Sequence, residues 1–306
     1  MNLKVTLGKL TLQNPVMVAS GTFGYGEEYA RVIDVKRLGA IVTKSITLTP
    51  RSGNPPPRIW ETASGMLNAI GLQNVGCDAF IREKMPFLRS LHGPKILVNL
   101  AGESMAEYVE LARRLDDVPG IDGFELNISC PNCDRGGLEF GVDPKLTAEV
   151  VRQVRRVTKR FLMPKLSPNV TDVVVIAKAA ADGGADALSL VNTFVAIAVD
   201  AARRRPRIST VKAGLSGPAI KPIALRMVWQ VHRALPRVPL VGLGGIMTAG
   251  DAAEFLLCGA SAVQVGTANF VNPRAPLEII GGLATYAKSQ RVSRLARLVG
   301  ALKDRR

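Results

Sequence analysis

The chain is poor in the residues that secreted, membrane-spanning and base-stacking proteins depend on. Four cysteines in 306 residues do not form a disulfide framework, so a reduced, cytoplasmic setting is expected. Aromatic residues make up 5%, which leaves few platforms for stacking bases. No apolar run reaches the roughly 18 residues that a membrane helix needs, and the N-terminus lacks the apolar core of a signal peptide.

Acidic residues are also scarce, at 25 against 40 lysines and arginines, which gives a net charge of +15. Such a charge has two interpretations, nucleic-acid binding or an arginine-rich surface. The charges are spread along the chain, with the densest clusters at Arg203–Arg207 and Lys303–Arg306. Both clusters are typical of a solvated loop and a frayed terminus, so the surface interpretation is favoured and nucleic acid is not expected as a partner.

Short apolar runs alternate with amphipathic stretches along the whole chain, and 47% of the residues are hydrophobic. Strands are predicted at Val16–Ala19, Ala40–Thr43, Ile96–Asn99, Gly123–Asn127, Met163–Leu166, Ala187–Val191, Leu240–Gly242 and Ala262–Val265. Helices are predicted at Met105–Leu115, Lys145–Lys159, Thr171–Ala181, Pro222–Ala234 and Ala249–Leu257. Residues 1–15 alternate like a β-hairpin.

Eight such strand–helix units predict an α/β fold, a single (β/α)8 TIM barrel that spans residues 1–306 as one domain. A Rossmann fold is disfavoured because no G-x-G-x-x-G follows the first strand. Long connections follow strands two and six, at Ser45–Lys84 and Asn192–Lys221. Long ordered connections in compact domains are usually functional.

Polar or glycine residues lie at or just after the end of almost every predicted strand. They are Ser20 and Gly21, Lys44 and Ser45, Asn99, Asn127 with Cys130, Lys165, Asn192 with Thr193, Gly244 with Gly245, and Gly266 with Thr267. Any one of them is compatible with a helix cap or a solvent-facing side chain. Because the carboxyl ends of barrel strands share one rim, the ordered set predicts an active site there.

The last two strand ends have the composition of a phosphate-binding site. Gly244-Gly245 and Gly266-Thr267 each precede a predicted helix, and Gly214–Pro218 can add further backbone amides. Two rim cations, Lys44 and Lys165, suit FMN, whose reduced ring carries negative charge. They also suit a sugar-phosphate lyase with a Schiff-base lysine. Cys130 favours the flavin enzyme because the lyase does not need it.

Several stretches together resemble class 1 dihydroorotate dehydrogenases, and most closely the NAD-linked, two-subunit class 1B. The resemblance runs essentially end to end. It is carried by Asn14–Gly21, Gly65–Asn74, Glu125–Asn132, Lys165–Asn169, Gly214–Pro222 and Gly259–Phe270.

The resemblance implies a role for each matching residue. FMN contacts are expected from Ser20, Lys44, Ser45, Asn99, Asn127, Lys165, Val191, Gly217, Gly244, Gly245, Gly266 and Thr267. Dihydroorotate contacts are expected from Lys44, Asn68, Ile70, Gly71, Leu72, Asn127, Asn132, Asn192 and Thr193. Cys130 matches the catalytic base. A serine there, with an additional N-terminal segment, would indicate the quinone-linked membrane class, and this chain has neither.

The same resemblance implies oxidation of (S)-dihydroorotate to orotate in pyrimidine (UMP) biosynthesis, with electrons passing to NAD. The chain has neither a dinucleotide fingerprint nor a cluster of four cysteines. The class 1B resemblance implies a partner subunit carrying FAD and a 2Fe-2S cluster, around a homodimer core in a heterotetramer, without a membrane.

Some alternatives remain open at this point. Cys133 forms a C-x-x-C motif with Cys130, which is compatible with a redox disulfide or a metal site. A metal site would need further ligands, and His92 and His232 do not have the spacing of metal ligands. Cys77 and Cys258 are interpreted as packing residues. The competing functions are a fumarate-linked class 1A enzyme, a tRNA dihydrouridine synthase and a non-catalytic FMN-barrel scaffold. The synthase needs a C-terminal helical domain for which too few residues follow Thr267.

Overall fold

A computed structural model describes residues 2–128 and 140–303. Its strands are β1 (Val5–Leu7), β2 (Leu10–Leu12), β3 (Val16–Val18), β4 (Ala40–Val42), β5 (Ile59–Thr62), β6 (Gly65–Asn68), β7 (Lys95–Leu100), β8 (Gly123–Leu126), β9 (Phe161–Pro164), β10 (Leu188–Leu190), β11 (Phe194–Ala196), β12 (Val199–Asp200), β13 (Arg205–Pro206), β14 (Ala213–Ser216), β15 (Leu240–Leu243) and β16 (Ala262–Val265). Its helices are α1 (Glu27–Ala30), α2 (Cys77–Ala79), α3 (Met85–Ser90), α4 (Met105–Asp116), α5 (Pro144–Val157), α6 (Val173–Asp182), α7 (Lys221–Ala234), α8 (Ala249–Leu257), α9 (Ala268–Val271) and α10 (Ala275–Ser289).

Eight parallel strands form the central sheet, in the order β10-β15-β16-β3-β4-β7-β8-β9. The two ends of this order meet, because Lys165 pairs in parallel with Ser189 and the Leu166 N–H donates to the Ser189 carbonyl at 2.8 Å. The predicted (β/α)8 barrel is therefore confirmed. Its strands are covered on both faces, which explains why they read as continuous apolar runs rather than alternating ones.

The N-terminal hairpin closes one end of the barrel. Strands β1 and β2 pair antiparallel, as the alternation predicts. Their inward residues pack with side chains of the barrel strands, among them Met17 and Phe161. The inward hairpin residues are Val5, Leu7, Leu10 and Leu12. An apolar plug at the amino ends of the strands leaves the carboxyl ends for a ligand site.

Helices surround the barrel and bury one face each. Helix α4 turns Tyr108, Leu111 and Leu115 inward and begins at Ser104, whose side chain accepts a hydrogen bond from the Glu107 N–H. Helix α8 begins with a reciprocal capping box between Thr248 and Asp251. Within residues 2–128 and 140–303, no helix is both long and apolar enough to cross a bilayer.

The two long connections pair with each other. Strands β5 and β6 from the first and β11 and β14 from the second form an antiparallel sheet in the order β11-β14-β6-β5. This sheet has its own small core, which includes Leu67, Ile208 and Ala213. In the cluster Arg203–Arg207, residues 203–206 are exposed, as expected of a solvated loop, whereas Arg207 is half-buried with its guanidinium over the Trp60 ring.

Neither of the described cysteines takes part in a metal site. Cys77 is buried and Cys258 is partly buried. No group of three or more His, Cys, Asp or Glu side chains is arranged to hold a metal ion in the part of the chain that the structure describes. Burial raises the pKa of the Cys77 thiol to about 11, with Asp78 acting in the same direction, so this thiol is inert at neutral pH.

Leu7→Ala tests the plug. We expect it to lower the free energy of unfolding by about 2–5 kcal/mol, because it removes a fully buried side chain and leaves a cavity. Thr6→Ala, on the exposed side of the same strand, is the matched control, with an expected change within about 0.5 kcal/mol. Urea unfolding measures both, and equal small effects would show that the hairpin does not seal the barrel.

Candidate active site

A cavity opens at the carboxyl ends of the barrel strands, and the antiparallel sheet of the long connections contributes to its wall. Most of the residues predicted from the sequence line it. They are Ser20, Ser45, Asn68, Ile70, Leu72, Asn127, Lys165, Val191, Asn192, Thr193, Gly217, Gly244, Gly245, Gly266 and Thr267. Lys44, Asn99 and Gly71 do not line the cavity. Cys130, Asn132 and Cys133 lie outside the described residues.

One side of the cavity is a glycine turn that excludes side chains. Gly245 has a φ of 76°, and a Cβ there would lie 2.7 Å from the Lys221 Cβ and 2.8 Å from the Gly217 carbonyl oxygen. At Gly266 an added Cβ would contact only the Ala19 Cβ, at 3.6 Å, so Gly266 leaves room within the cavity. Thr267 carries a hydroxyl 2.8 Å from the Ser216 hydroxyl. Close backbone approach and a hydroxyl at the start of α9 suit a phosphate group.

Asparagine amides form another part of the lining. The Asn192 Nδ2 donates to the Asn127 Oδ1 at 3.1 Å, and the Tyr108 hydroxyl of α4 donates to the Asn127 carbonyl at 2.6 Å. The Asn68 Nδ2 lies 3.4 Å from the Gly214 carbonyl oxygen, which ties β6 to β14. Each amide offers a donor and an acceptor, so the three together can bind a small polar ring.

A strained segment completes the wall. Leu72 lines the cavity with a φ of 56°, a left-handed conformation that is uncommon outside glycine. The buried Asn74 holds it there, because its Nδ2 donates to the Leu72 carbonyl and to the Thr47 hydroxyl, each at 2.8 Å. Backbone held in this way is typical of binding sites.

The lining of the cavity includes a positive charge. Lys165 lines it and is buried. Burial lowers the pKa of Lys44, the nearby Arg58 acts in the same direction, and Glu28 opposes both. Lys44 lies two residues after the end of β4 and does not line the cavity. An anionic ligand would therefore meet complementary charge.

A buried polar layer beneath the cavity was not predicted from the sequence. The Glu125 carboxylate accepts hydrogen bonds from the Asn99 Nδ2 at 2.7 Å, the Ser189 hydroxyl at 2.9 Å and the Gln264 Nε2 at 2.6 Å. Gln264 also lines the cavity. The available signal was the position of Glu125 and Gln264 inside otherwise apolar strands.

Comparisons with known proteins agree with this geometry. Residues 2–286 match the family model described as dihydroorotate dehydrogenase. The chain is 58% identical over 301 residues to a protein of Pelobacter propionicus named dihydroorotate dehydrogenase B (NAD(+)), catalytic subunit, and the match covers 98% of each chain. A Geotalea daltonii protein of the same name is 56% identical over 302 residues, covering 99% of this chain and 98% of that one. The chain therefore belongs to the dihydroorotate dehydrogenase family.

Proposed function

We propose that this chain is the FMN-binding catalytic subunit of an NAD-linked dihydroorotate dehydrogenase, which oxidises (S)-dihydroorotate to orotate in pyrimidine biosynthesis. The observation that carries the proposal is one cavity whose lining combines the Gly244-Gly245 turn with Asn68, Asn127 and Asn192. A single domain over residues 1–306 and a cytoplasmic location belong to the same proposal.

The cavity residues fit FMN. Its phosphate suits the part of the lining formed by the open side of Gly266, the Gly244-Gly245 turn, Gly217 and Thr267. Lys165 places a positive charge where the ring would accept negative charge. Further contacts are proposed for Ser20, Lys44, Ser45, Asn99, Asn127 and Val191. When bound, FMN supplies the acceptor for the hydride that leaves C6 of the substrate.

The amide side suits dihydroorotate, a small ring with two amide groups and a carboxylate. Asn68, Asn127 and Asn192 can each donate and accept, which matches the mixed edge of such a ring. We assign Asn132, Ile70, Gly71, Leu72 and Thr193 to the same subsite. Lys44, which does not line the cavity itself, is proposed to add positive charge for both ligands.

Cys130 is proposed as the base that removes the proton from C5 of dihydroorotate. In the sequence it follows Asn127, which lines the cavity, by three residues. A thiolate at this point is a competent proton acceptor near neutral pH. The role rests on the family resemblance, because Cys130 lies outside the described residues.

The electrons are proposed to leave through a partner subunit that carries FAD and a 2Fe-2S cluster. Support comes from the names of the relatives, which describe a catalytic subunit and NAD(+). The proposed assembly is a homodimer of this chain with two copies of the partner. The net charge of +15 can assist docking by attracting an acidic surface.

Gly266→Ala tests the phosphate cradle. We expect FMN affinity to fall about tenfold or more, since a methyl group would occupy ligand space while the fold tolerates it. Gly281→Ala is the control, because Gly281 lies in α10 with nothing within 4 Å of an added Cβ. FMN released from denatured protein, measured by absorbance, reports occupancy. A wild-type protein that binds no FMN would refute the proposed function.

Cys130→Ala tests the base. We expect the variant to retain FMN but to be reduced by dihydroorotate about 10² times more slowly, as the loss of general-base catalysis implies. Cys130→Ser should keep some activity, shifted to higher pH, because a hydroxyl is a weaker base. Rapid-mixing absorbance measures reduction, and Cys133→Ala under reducing conditions is the control. Unchanged reduction in Cys130→Ala would mean that another group takes the proton.

The electron acceptor tests the two-subunit proposal. The isolated chain should reduce an artificial dye with dihydroorotate and show little turnover with NAD⁺ or fumarate. Steady-state assays with the three acceptors measure this. Efficient fumarate reduction would instead assign the chain to class 1A, and efficient NAD⁺ reduction without a partner would contradict the need for one.

A further inference from the structure

A hydrogen bond crosses the whole interior of the barrel. Glu125 lies on β8 and Gln264 on β16, four strands away around the ring in either direction. Their side chains nevertheless meet at 2.6 Å, between the Gln264 Nε2 and the Glu125 Oε2. Glu125 is 0% exposed and Gln264 1%. The carboxylate therefore lies near the barrel axis, between the apolar plug and the cavity.

The hydrogen bonds to Glu125 fix the orientation of two amides. Its Oε1 accepts from the Asn99 Nδ2, and its Oε2 accepts from Gln264 and Ser189. A carboxylate with these contacts acts only as an acceptor, so each amide must turn its NH₂ group toward it. The carbonyl oxygen of each amide consequently points away from Glu125.

Those carbonyl oxygens have no partner in the described part of the chain. The Gln264 Oε1 and the Asn99 Oδ1 are both buried without a hydrogen bond. Buried acceptors in native proteins are nearly always paired. Gln264, unlike Asn99, belongs to the lining of the cavity, so a donor on a ligand bound there is the available partner for its buried, unpaired oxygen.

We propose that the Gln264 Oε1 accepts a hydrogen bond from the ring N–H of the bound flavin, and that Glu125 is the positioning residue that holds this acceptor in place. The inference rests on the proposed function. An oxidised flavin ring has one N–H group, at N3, between two carbonyl groups. A donor such as the ammonium of Lys165, which lines the same cavity, suits a carbonyl, whereas only an acceptor suits N3.

A flavin without this N–H tests the proposal. The full chain, stripped of flavin, is offered an equimolar mixture of FMN and 3-methyl-FMN, and the bound flavins are released and quantified. We expect wild-type protein to prefer FMN by about tenfold or more, the factor that one well-made hydrogen bond confers. Gln264→Met, which keeps the length of the side chain but removes its amide, should bring the two flavins close to equal occupancy.

Glu125→Gln tests the positioning role. A second amide at 125 can donate as well as accept, so Gln264 is no longer held in one orientation, and the preference for FMN should shrink as in Gln264→Met. Glu125→Asp keeps a carboxylate and should retain part of the preference. Ser189→Ala is the matched control, because it removes another donor to the same carboxylate and should leave the preference unchanged.

The outcomes are distinguishable. If Glu125 only supports the fold, Glu125→Gln should lose thermal stability but keep the wild-type ratio of flavins. That result would overturn the positioning role. Equal uptake of both flavins by wild-type protein, or an unchanged ratio in Gln264→Met, overturns the contact to N3 while the proposed function stands. Absence of any FMN uptake overturns both. If Glu125→Gln does not fold, Gln264→Met decides the contact.

Discussion

The hydrogen bonds that join β9 to β10 close the ring of strands, and the arrangement of the cavity depends on that closure. Leu166 donates to Ser189, and Asn192 donates back to Leu166 at 2.9 Å. These bonds place the end of β10 beside the end of β9. An open sheet would leave the same asparagines and lysines spread along an edge, whereas a closed barrel turns them toward one axis.

Closure also creates an interior that has to be filled, and the chain fills it in three different ways. The hairpin and inward-facing residues of the strands fill the lower end, at the amino ends of the strands, with apolar side chains. Glu125 and its three donors fill the middle with a hydrogen-bonded polar layer. The upper end is left to the cavity. Buried polar groups are stable in such a layer only when they are paired, which is why the unpaired oxygen of Gln264 is informative.

Much of the architecture could be predicted from the sequence because it is encoded locally. Each predicted barrel strand and each predicted helix overlaps an observed one, and the alternation at residues 1–15 was correctly interpreted as a hairpin. The predicted strand-end residues largely line one cavity because parallel strands share a carboxyl edge. The roles of these residues stay predictions.

Contacts between distant segments could not be predicted in this way. Asn99 follows the rule for strand-end residues, yet its amide is turned to Glu125 and does not line the cavity. Nothing in the local pattern of β8 indicates that Glu125 reaches Gln264 across the barrel. The pairing of β6 with β14 could not be predicted either, since these strands belong to connections about 150 residues apart along the chain.

Three glycines from three separate segments touch one another through their backbones. A Cβ on Gly65 would lie 2.2 Å from the Ser216 carbonyl oxygen, one on Gly217 would lie 2.8 Å from the Gly65 Cα, and one on Gly245 would lie 2.8 Å from the Gly217 carbonyl oxygen. Because these contacts are made by backbone atoms, a rearrangement of side chains could not relieve them. The backbone segments that contain these glycines are thus held at fixed distances from one another, and a side chain at any of the three positions would force them apart.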